Sequence, residues 1–155
     1  MTSIRHEITT TAHPDDVWAA LKDFGALHTR LVRGFVTGTE LDGADRIVTF
    51  FTGATVRERF VGADDAQRRL AYAILHGFDH YNGSAQVHDD PAGSRVTWIV
   101  DVLPDEAAER VGPLMARGAT AMRETLDAMN PVTRSHDADA GGPTSGPVAR
   151  WRTCR

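Results

Sequence analysis

The sequence predicts an α+β fold: a curved seven-stranded antiparallel sheet with two short helices and a long C-terminal helix that either plugs the sheet or covers a cavity under it. The longest helical pattern of the chain runs from Pro104 to Met129. About seven segments with strand character precede it, and their spacing of about 10 to 14 residues is typical of antiparallel hairpins. The only other helical patterns are two short ones between the first two strands. The long helix must therefore bury its apolar face against the sheet.

The first elements are a strand and two short helices. Alternation and β-branched residues predict a strand over 4–11. Pro14 suits the first position of a helix, and the two aspartates that follow it favour the positive end of the helix dipole. Apolar residues then recur at helical spacing at Val17, Trp18, Leu21 and Phe24. A second short helix is expected over 26–31.

Turn residues separate the remaining strands. These strands are predicted at 32–41, 46–51, 55–61, 69–75, 81–87 and 95–103. In the last helix Pro113 lies too deep to act as an initiator, so we expect a kink or a break near Gly112, with the longer arm over 114–129. Gly118 lies on the same stripe as Met115 and Met122, where a missing side chain would leave space for a pocket.

One domain accounts for most of the chain. A length of 155 residues with 41% hydrophobic content fits a single core, and we assign residues 1–130 to it. Residues 131–155 are rich in Gly, Pro and Ser without a period, which predicts a disordered tail. Trp151 among the arginines near the end is interpreted as part of a solvated terminus rather than as a docking motif.

Composition excludes several classes of protein. The net charge of −4 is interspersed, without a basic stripe, so nucleic acid is not an expected partner. No apolar run reaches the roughly 18 residues of a membrane helix, and the N-terminus lacks a signal peptide, so we expect no membrane insertion and a cytoplasmic protein. Arginine outnumbers lysine sixteen to one, which is typical of a high-GC bacterial genome.

Motifs of metal and cofactor chemistry are missing from the sequence. Cys154 is the only cysteine, which excludes an internal disulfide and a cysteine cluster. His76 and His80 are four residues apart, but they flank a predicted hairpin end, where helical ligand geometry does not apply. There is no phosphate loop or nucleophile elbow. We therefore expect neither a metal nor a cofactor.

The order of elements and several local segments resemble the START-like, or SRPBCC, superfamily of helix-grip proteins. This superfamily includes Bet v 1 and the polyketide cyclase/dehydrase group. The resemblance covers residues 3–129 and is carried by Pro14, Val17, Trp18, Asp23 to Gly25, Leu27, His28, Val56 to Arg59, Asp64, Asp65, Arg69, Leu70, Tyr72 and Val96 to Trp98. It implies an internal cavity between the sheet and the last helix that accepts a small, mostly apolar molecule. Its members range from carriers to aromatase/cyclases.

Strand alternation selects the candidate site residues, because a polar side chain on the concave face is costly unless it is bonded or used. Glu58 shares a face with Val56 and Phe60, and Tyr72 shares one with Leu70 and Ile74. If these faces are concave, Glu58 and Tyr72 are neighbouring polar groups in an apolar cavity. We expect this cavity to be lined by Phe60, Trp98, Met115 and Met122.

Glu58 admits three roles. A buried carboxylate beside a phenol can move a proton at a carbon acid, as cyclisation and dehydration require. It can instead orient a ligand by hydrogen bonding. It can also pair with an arginine such as Arg46 on the adjacent strand and only satisfy the cavity wall.

Two further candidates are less determined. The resemblance implies that His28 lies near the cavity entrance, where it is either a general base or a helix-surface histidine. Residues 80–86 are polar on one face. Either this face meets solvent and Tyr81 packs inward on the other, or Asn82 supplies a polar anchor to a ligand.

These observations predict a monomeric or homodimeric protein that binds a small hydrophobic or aromatic molecule, such as a lipid, as a carrier or sensor. Glu58, Tyr72 and His28 would orient the ligand against Phe60, Trp98 and the helix methionines. The alternative is a polyketide cyclase or dehydratase, with Glu58 or His28 as acid/base and Tyr72 as donor to an enolate oxygen. A third interpretation is a macromolecular interaction protein.

Overall fold

The computed structural model describes residues 1–129 and confirms the predicted fold. The expected tail over 131–155, with Trp151 and Cys154, lies outside the described residues. The elements in chain order are β1 (Thr2–Thr10), α1 (Pro14–Lys22), α2 (Leu27–Arg30), β2 (Val36–Asp42), β3 (Asp45–Phe50), β4 (Thr55–Asp64), β5 (Arg69–Ile74), β6 (His80–Asp90), β7 (Gly93–Leu103) and α3 (Ala107–Asp127).

All seven strands form one antiparallel sheet in the order β1-β7-β6-β5-β4-β3-β2. Consecutive strands from β2 to β7 are hairpin neighbours, and β1 pairs with β7 because α1 and α2 carry the chain across to the far edge. Register shifts interrupt the pairing of β2 with β3 and of β4 with β5. Such bulges increase the local twist and help the sheet to curve around the helix.

Helix α1 begins where the sequence places it. Pro14 takes the first helical position, and Nδ1 of the preceding His13 accepts a hydrogen bond from the backbone N–H of Asp15 at 3.2 Å. That bond satisfies one of the free N–H groups of the first turn. The start of the helix is therefore fixed locally, and its buried face is directed at the sheet.

Helix α3 is continuous, so the break expected near Gly112 does not occur. Pro113 lies in the second turn and lacks the N–H that would bond the carbonyl of Glu109. Both residues are exposed, so water can bond that carbonyl and the helix can continue past the proline.

The space between α3 and the sheet is packed at one end and hollow at the other. At the packed end the side-chain hydroxyl of Thr10 and the backbone N–H of Thr11 donate to Asp127 at 2.6 and 3.0 Å. Fully buried side chains fill this end: Ile8, Val17, Val96 and Leu126. The hollow end lies under the first half of α3.

Candidate functional site

A cavity of about 420 Å³ occupies the hollow end. Strands β3 to β7 supply its floor, α1 and α2 with the segment that follows supply one wall, and α3 supplies the roof. Most of its lining is apolar and includes Leu21, Leu27, Leu31, Val36, Val48, Phe50, Leu70, Ile74, Trp98 and Met115. Its size and apolar character are those of a small-molecule site.

The cavity opens to solvent between the β5–β6 loop and the first two turns of α3. Gly77 and Phe78 of that loop line it, as do Arg110 and Leu114 of the helix. Leu114 is 41% exposed, and the guanidinium of Arg110 lies 5.2 Å from the centre of the Phe78 ring. These four residues form the cavity entrance.

The main polar feature of the interior is an ion pair between Arg46 and Glu58, which face each other directly across β3 and β4. Nε and Nη2 of Arg46 contact the same carboxylate oxygen, Oε2, at 2.7 and 2.6 Å. The two side chains are only 7% and 8% exposed. The guanidinium also lies 4.0 Å from the centre of the Phe24 ring and donates to the Phe24 carbonyl oxygen at 3.3 Å.

Glu58 therefore faces the cavity, as strand alternation predicts, and it pairs with Arg46, as one of its three expected roles requires. Within residues 1–129 no hydrogen bond reaches its second oxygen, Oε1. A carboxylate oxygen without a protein donor, in the wall of an apolar cavity, is available to a ligand.

Tyr72 lies beside this pair, with its ring centre 5.7 Å from the Arg46 guanidinium. Its hydroxyl oxygen accepts a hydrogen bond from Nε1 of Trp98 at 3.1 Å, which leaves the hydroxyl hydrogen for a ligand. Burial, and then the negative charge of Glu58, raise the pKa of Tyr72 well above its ordinary value. The phenol therefore stays protonated and is a permanent donor.

A glycine makes room for this tyrosine. Gly83 is the cross-strand partner of Tyr72, and a Cβ at this position would overlap the ring and lie 2.6 Å from the hydroxyl oxygen. The glycine inside β6 is thus required by close approach, a common reason for glycine in a strand. The absence of a side chain at Gly83 lets the Tyr72 ring lie against the backbone of β6.

Tyr81 lines the cavity on the same side. Burial, then the neighbouring Tyr72, and then the negative charge of Glu58, raise its pKa well above the ordinary value. On β6 the inward positions are those of Tyr81, Ala85 and Val87, and the polar set with Asn82 alternates with them. Asn82 is therefore on the convex face, and the proposal that it anchors a ligand in this cavity does not fit its position.

Two other predicted site residues lie away from the cavity. Phe60 is 38% exposed and packs edge-on against Phe24 at 5.6 Å between ring centres. Phe60 pairs with Tyr72 ahead of the bulge and so keeps the register of Glu58, but its ring packs on Phe24 and does not line the cavity. His28 is partly buried on α2, does not line the cavity, and has a buried Nδ1 without a partner among the described residues.

The predicted site residues of α3 lie partly at the hollow end and partly toward the packed end of the space between α3 and the sheet. Met115 lines the cavity, but Met122 and Gly118 lie beyond it toward the packed end. A Cβ on Gly118 would come within 3.1 Å of the rings of Phe35 and Trp98. The space expected beneath Gly118 is thus filled by aromatic rings, and the cavity roof extends only from Arg110 to Met115.

Sequence reasoning missed Arg46 as a site residue in its own right, together with Gly83 and the entrance residues. Alternation could have found Arg46, because it lies two positions from the apolar Val48 on the same strand. The glycine inside a strand was a signal for Gly83. No sequence signal marks Phe78 or Arg110, because they meet only through the packing of α3 on a loop.

Metal sites and membrane spans can be checked on the described residues. In residues 1–129 no three His, Cys, Asp or Glu side chains are grouped closely enough to hold a metal ion. None of the helices in this part of the chain combines the length and hydropathy of a membrane span.

Sheet, helix and cavity together define a helix-grip protein of the ligand-binding class. The family described as "Polyketide cyclase / dehydrase and lipid transport" matches residues 1–152, and the chain belongs to this family. The resemblance to START-like and Bet v 1-like proteins is thereby confirmed. No curated protein matches the sequence.

Solved structures with the same fold come from bacteria and a plant. The protein XoxI of Bacillus cereus is 21% identical, with a TM-score of 0.72 over 84% of this chain and 99% of its own. A Thermobifida fusca protein is 24% identical, with a TM-score of 0.66 over 84% and 96%. Norcoclaurine synthase of Thalictrum flavum, in complex with a transition state analogue, is 23% identical, with a TM-score of 0.59 over 83% and 96%. At these identities the likeness shows the fold alone.

Proposed function

We propose that this protein binds a small hydrophobic or aromatic molecule in its cavity and acts as a carrier or sensor. The observation that carries the proposal is a cavity of about 420 Å³ whose apolar lining surrounds one compact polar cluster. Such a cavity gains affinity from apolar contact and orientation from a few polar groups. The family description, which includes lipid transport, agrees with a hydrophobic ligand.

In this proposal the residues of the cavity have separate roles. Trp98, Met115 and the aliphatic lining would surround the body of the ligand, while Tyr72 O–H donates to it and Glu58 Oε1 accepts from it. Arg46 holds Glu58 in place. A cavity filled by its own side chains would favour a macromolecular interaction protein. This cavity is not filled in that way.

The test uses N-phenyl-1-naphthylamine, an uncharged fluorescent probe that brightens in apolar surroundings. Ala85→Leu adds volume inside the cavity, and Ser84→Leu adds the same side chain on the opposite face of the same strand. We expect Ala85→Leu to weaken probe binding at least about tenfold, and Ser84→Leu to leave it unchanged. Equal probe affinity in both variants would contradict binding in this cavity.

A second candidate function is that of a cyclase or dehydratase. One observation favours it: a permanently protonated Tyr72 hydroxyl beside a carboxylate can polarise a ligand carbonyl while Glu58 moves a proton at the adjacent carbon. His28 does not line the cavity, so it is not part of this proposal.

Isotope exchange separates the enzyme from the carrier. The molecule that co-purifies with the protein from its natural host, found by native mass spectrometry, is incubated with fresh protein in deuterated water. An acid/base enzyme incorporates deuterium at a ligand carbon, and Tyr72→Phe slows this incorporation more than it weakens binding. A carrier returns the molecule with its carbon-bound hydrogens unchanged.

A further inference from the structure

We infer that the cavity selects a ligand whose buried polar end is neutral, such as a phenol or an alcohol, and rejects a carboxylate or an ammonium group there. This inference rests on the proposed function and specifies its ligand class. It follows from the balance of charge inside the cavity.

Within residues 1–129, the charged residues that line the cavity are Arg46, Glu58 and Arg110. The first two cancel, because their contacts at 2.6 and 2.7 Å join one positive and one negative group that are both more than nine-tenths buried. Tyr72 and Tyr81 add no charge, since their hydroxyls stay protonated. The interior is thus polar but has no net charge.

A charged ligand group in this interior would lose its hydration without gaining a counter-charge. Arg46 is already satisfied by Glu58, the Phe24 carbonyl and the Phe24 ring. Burying an unpaired charge is far more costly than burying a bonded hydroxyl. A hydroxyl group, in contrast, can accept from Tyr72 and donate to Glu58 Oε1.

Among the charged lining residues of the described part of the chain, only Arg110 could be reached by an anionic ligand that does not enter the polar cluster. It is exposed at the entrance, where water screens it. An acid with its carboxylate at the entrance is therefore the competing arrangement, and Arg110→Gln tests for it.

The experiment displaces N-phenyl-1-naphthylamine with three matched competitors at neutral pH: 2-naphthol, which is neutral, 2-naphthoate, an anion, and 2-naphthylmethylammonium, a cation. We expect naphthol to bind at least about tenfold more tightly than either ion. Arg110→Gln should leave this order unchanged. Naphthoate binding as tightly as naphthol would overturn the inference.

Variants that remove one charge of the pair test whether the order of affinities comes from charge or only from the hydrophobicity of the competitors. Glu58→Gln leaves Arg46 uncompensated, so naphthoate should gain at least about tenfold relative to naphthol. Arg46→Gln should favour the cation to the same extent. The double variant Arg46→Met/Glu58→Leu restores neutrality and should keep the wild-type order. If the affinity of the ion relative to naphthol is unchanged in both single variants, the inference is wrong.

The readouts keep the two proposals apart. If a single variant is too unstable for titration, the rise in its Tm with each competitor reports the same ratio. Failure of the probe and of all three competitors to bind the wild-type protein contradicts the proposed function itself. Probe binding together with a preference for naphthoate contradicts only the inference about charge.

Discussion

Strands β3 and β4 carry two arginine–carboxylate clusters, one on each face of the sheet. The inner cluster is the pair Arg46–Glu58 in the cavity. The outer cluster centres on Asp45, which accepts from Arg57 and Arg59 at 3.0 and 2.9 Å. Their positions in the sequence are adjacent, but the inner side chains are less than a tenth exposed, whereas Arg57 and Arg59 are 36% and 51% exposed.

This difference shows that the access of water to the charges, rather than the chemical type of the pair, decides how much stability is lost when one partner is removed. In the outer cluster Asp45 is itself only 10% exposed, but it has two arginine partners that keep much of their hydration, so loss of one arginine is cheap. In the inner pair the loss of one partner leaves a buried charge without a counter-charge. The outer cluster therefore lies on the solvent face of the sheet, and the inner pair determines the net charge inside the cavity.

The largest expected effect comes from breaking the inner pair. Glu58→Gln should lower the free energy of unfolding by about 3 kcal/mol, because Arg46 is left buried without a counter-charge. The double variant Arg46→Met/Glu58→Leu should recover most of this loss. Urea denaturation measures both. A double variant no more stable than Glu58→Gln would mean that the pair does more than balance charge.

The next effect tests how tightly the concave face is packed. Gly83→Ala should lower the free energy of unfolding by about 1 to 3 kcal/mol, because the new methyl group displaces the Tyr72 ring. Gly62→Ala on β4, where a Cβ meets nothing within 4 Å, is the control and should stay within about 0.5 kcal/mol of the wild type. Equal losses in the two variants would contradict the close approach.

Alkaline pH should act on the concave face. Tyr72 and Tyr81 are the only tyrosines, and burial raises the pKa of both. Their contribution to stability is complete below the pKa of an unfolded tyrosine, about 10, and declines as the pH rises beyond it. Phenolate absorbance should appear only as the protein unfolds. Reversible ionisation of the folded protein near the ordinary pKa would contradict this burial.

Acid pH should act on the outer face, with the smallest effect. Hydrogen bonds from Arg59 and then Arg57 hold the pKa of Asp45 below its ordinary value. Its contribution is complete above the pKa of an unfolded aspartate and is lost as the pH falls through the lower folded value. Asp45→Asn should therefore reduce the dependence of Tm on pH between about pH 6 and about pH 2. Asp79→Asn, exposed and outside the cluster, should leave it unchanged.

Local pattern predicted the element order and the inward orientation of Glu58, Tyr72 and Trp98, because strand alternation and turn residues act over a few positions. It did not show that the Phe60 ring packs on Phe24 outside the cavity lining, because that contact joins β4 to the segment after α1, far apart in the sequence. It also placed the roof too far along α3. How far a helix lies from a sheet depends on residues such as Phe35 and Trp98, which meet only after the chain has folded.

Gly118 and Gly83 lie at the two ends of one line of contacts. The Trp98 ring packs on Gly118, its Nε1 bonds Tyr72, and the Tyr72 ring lies against Gly83. The distance between roof and floor is thus set by two absent methyl groups, at positions that do not line the cavity. A single nucleotide change from glycine to alanine at either position would change the space offered to a ligand without altering any residue that touches it. The volume of the cavity can therefore change while every residue that lines it stays the same.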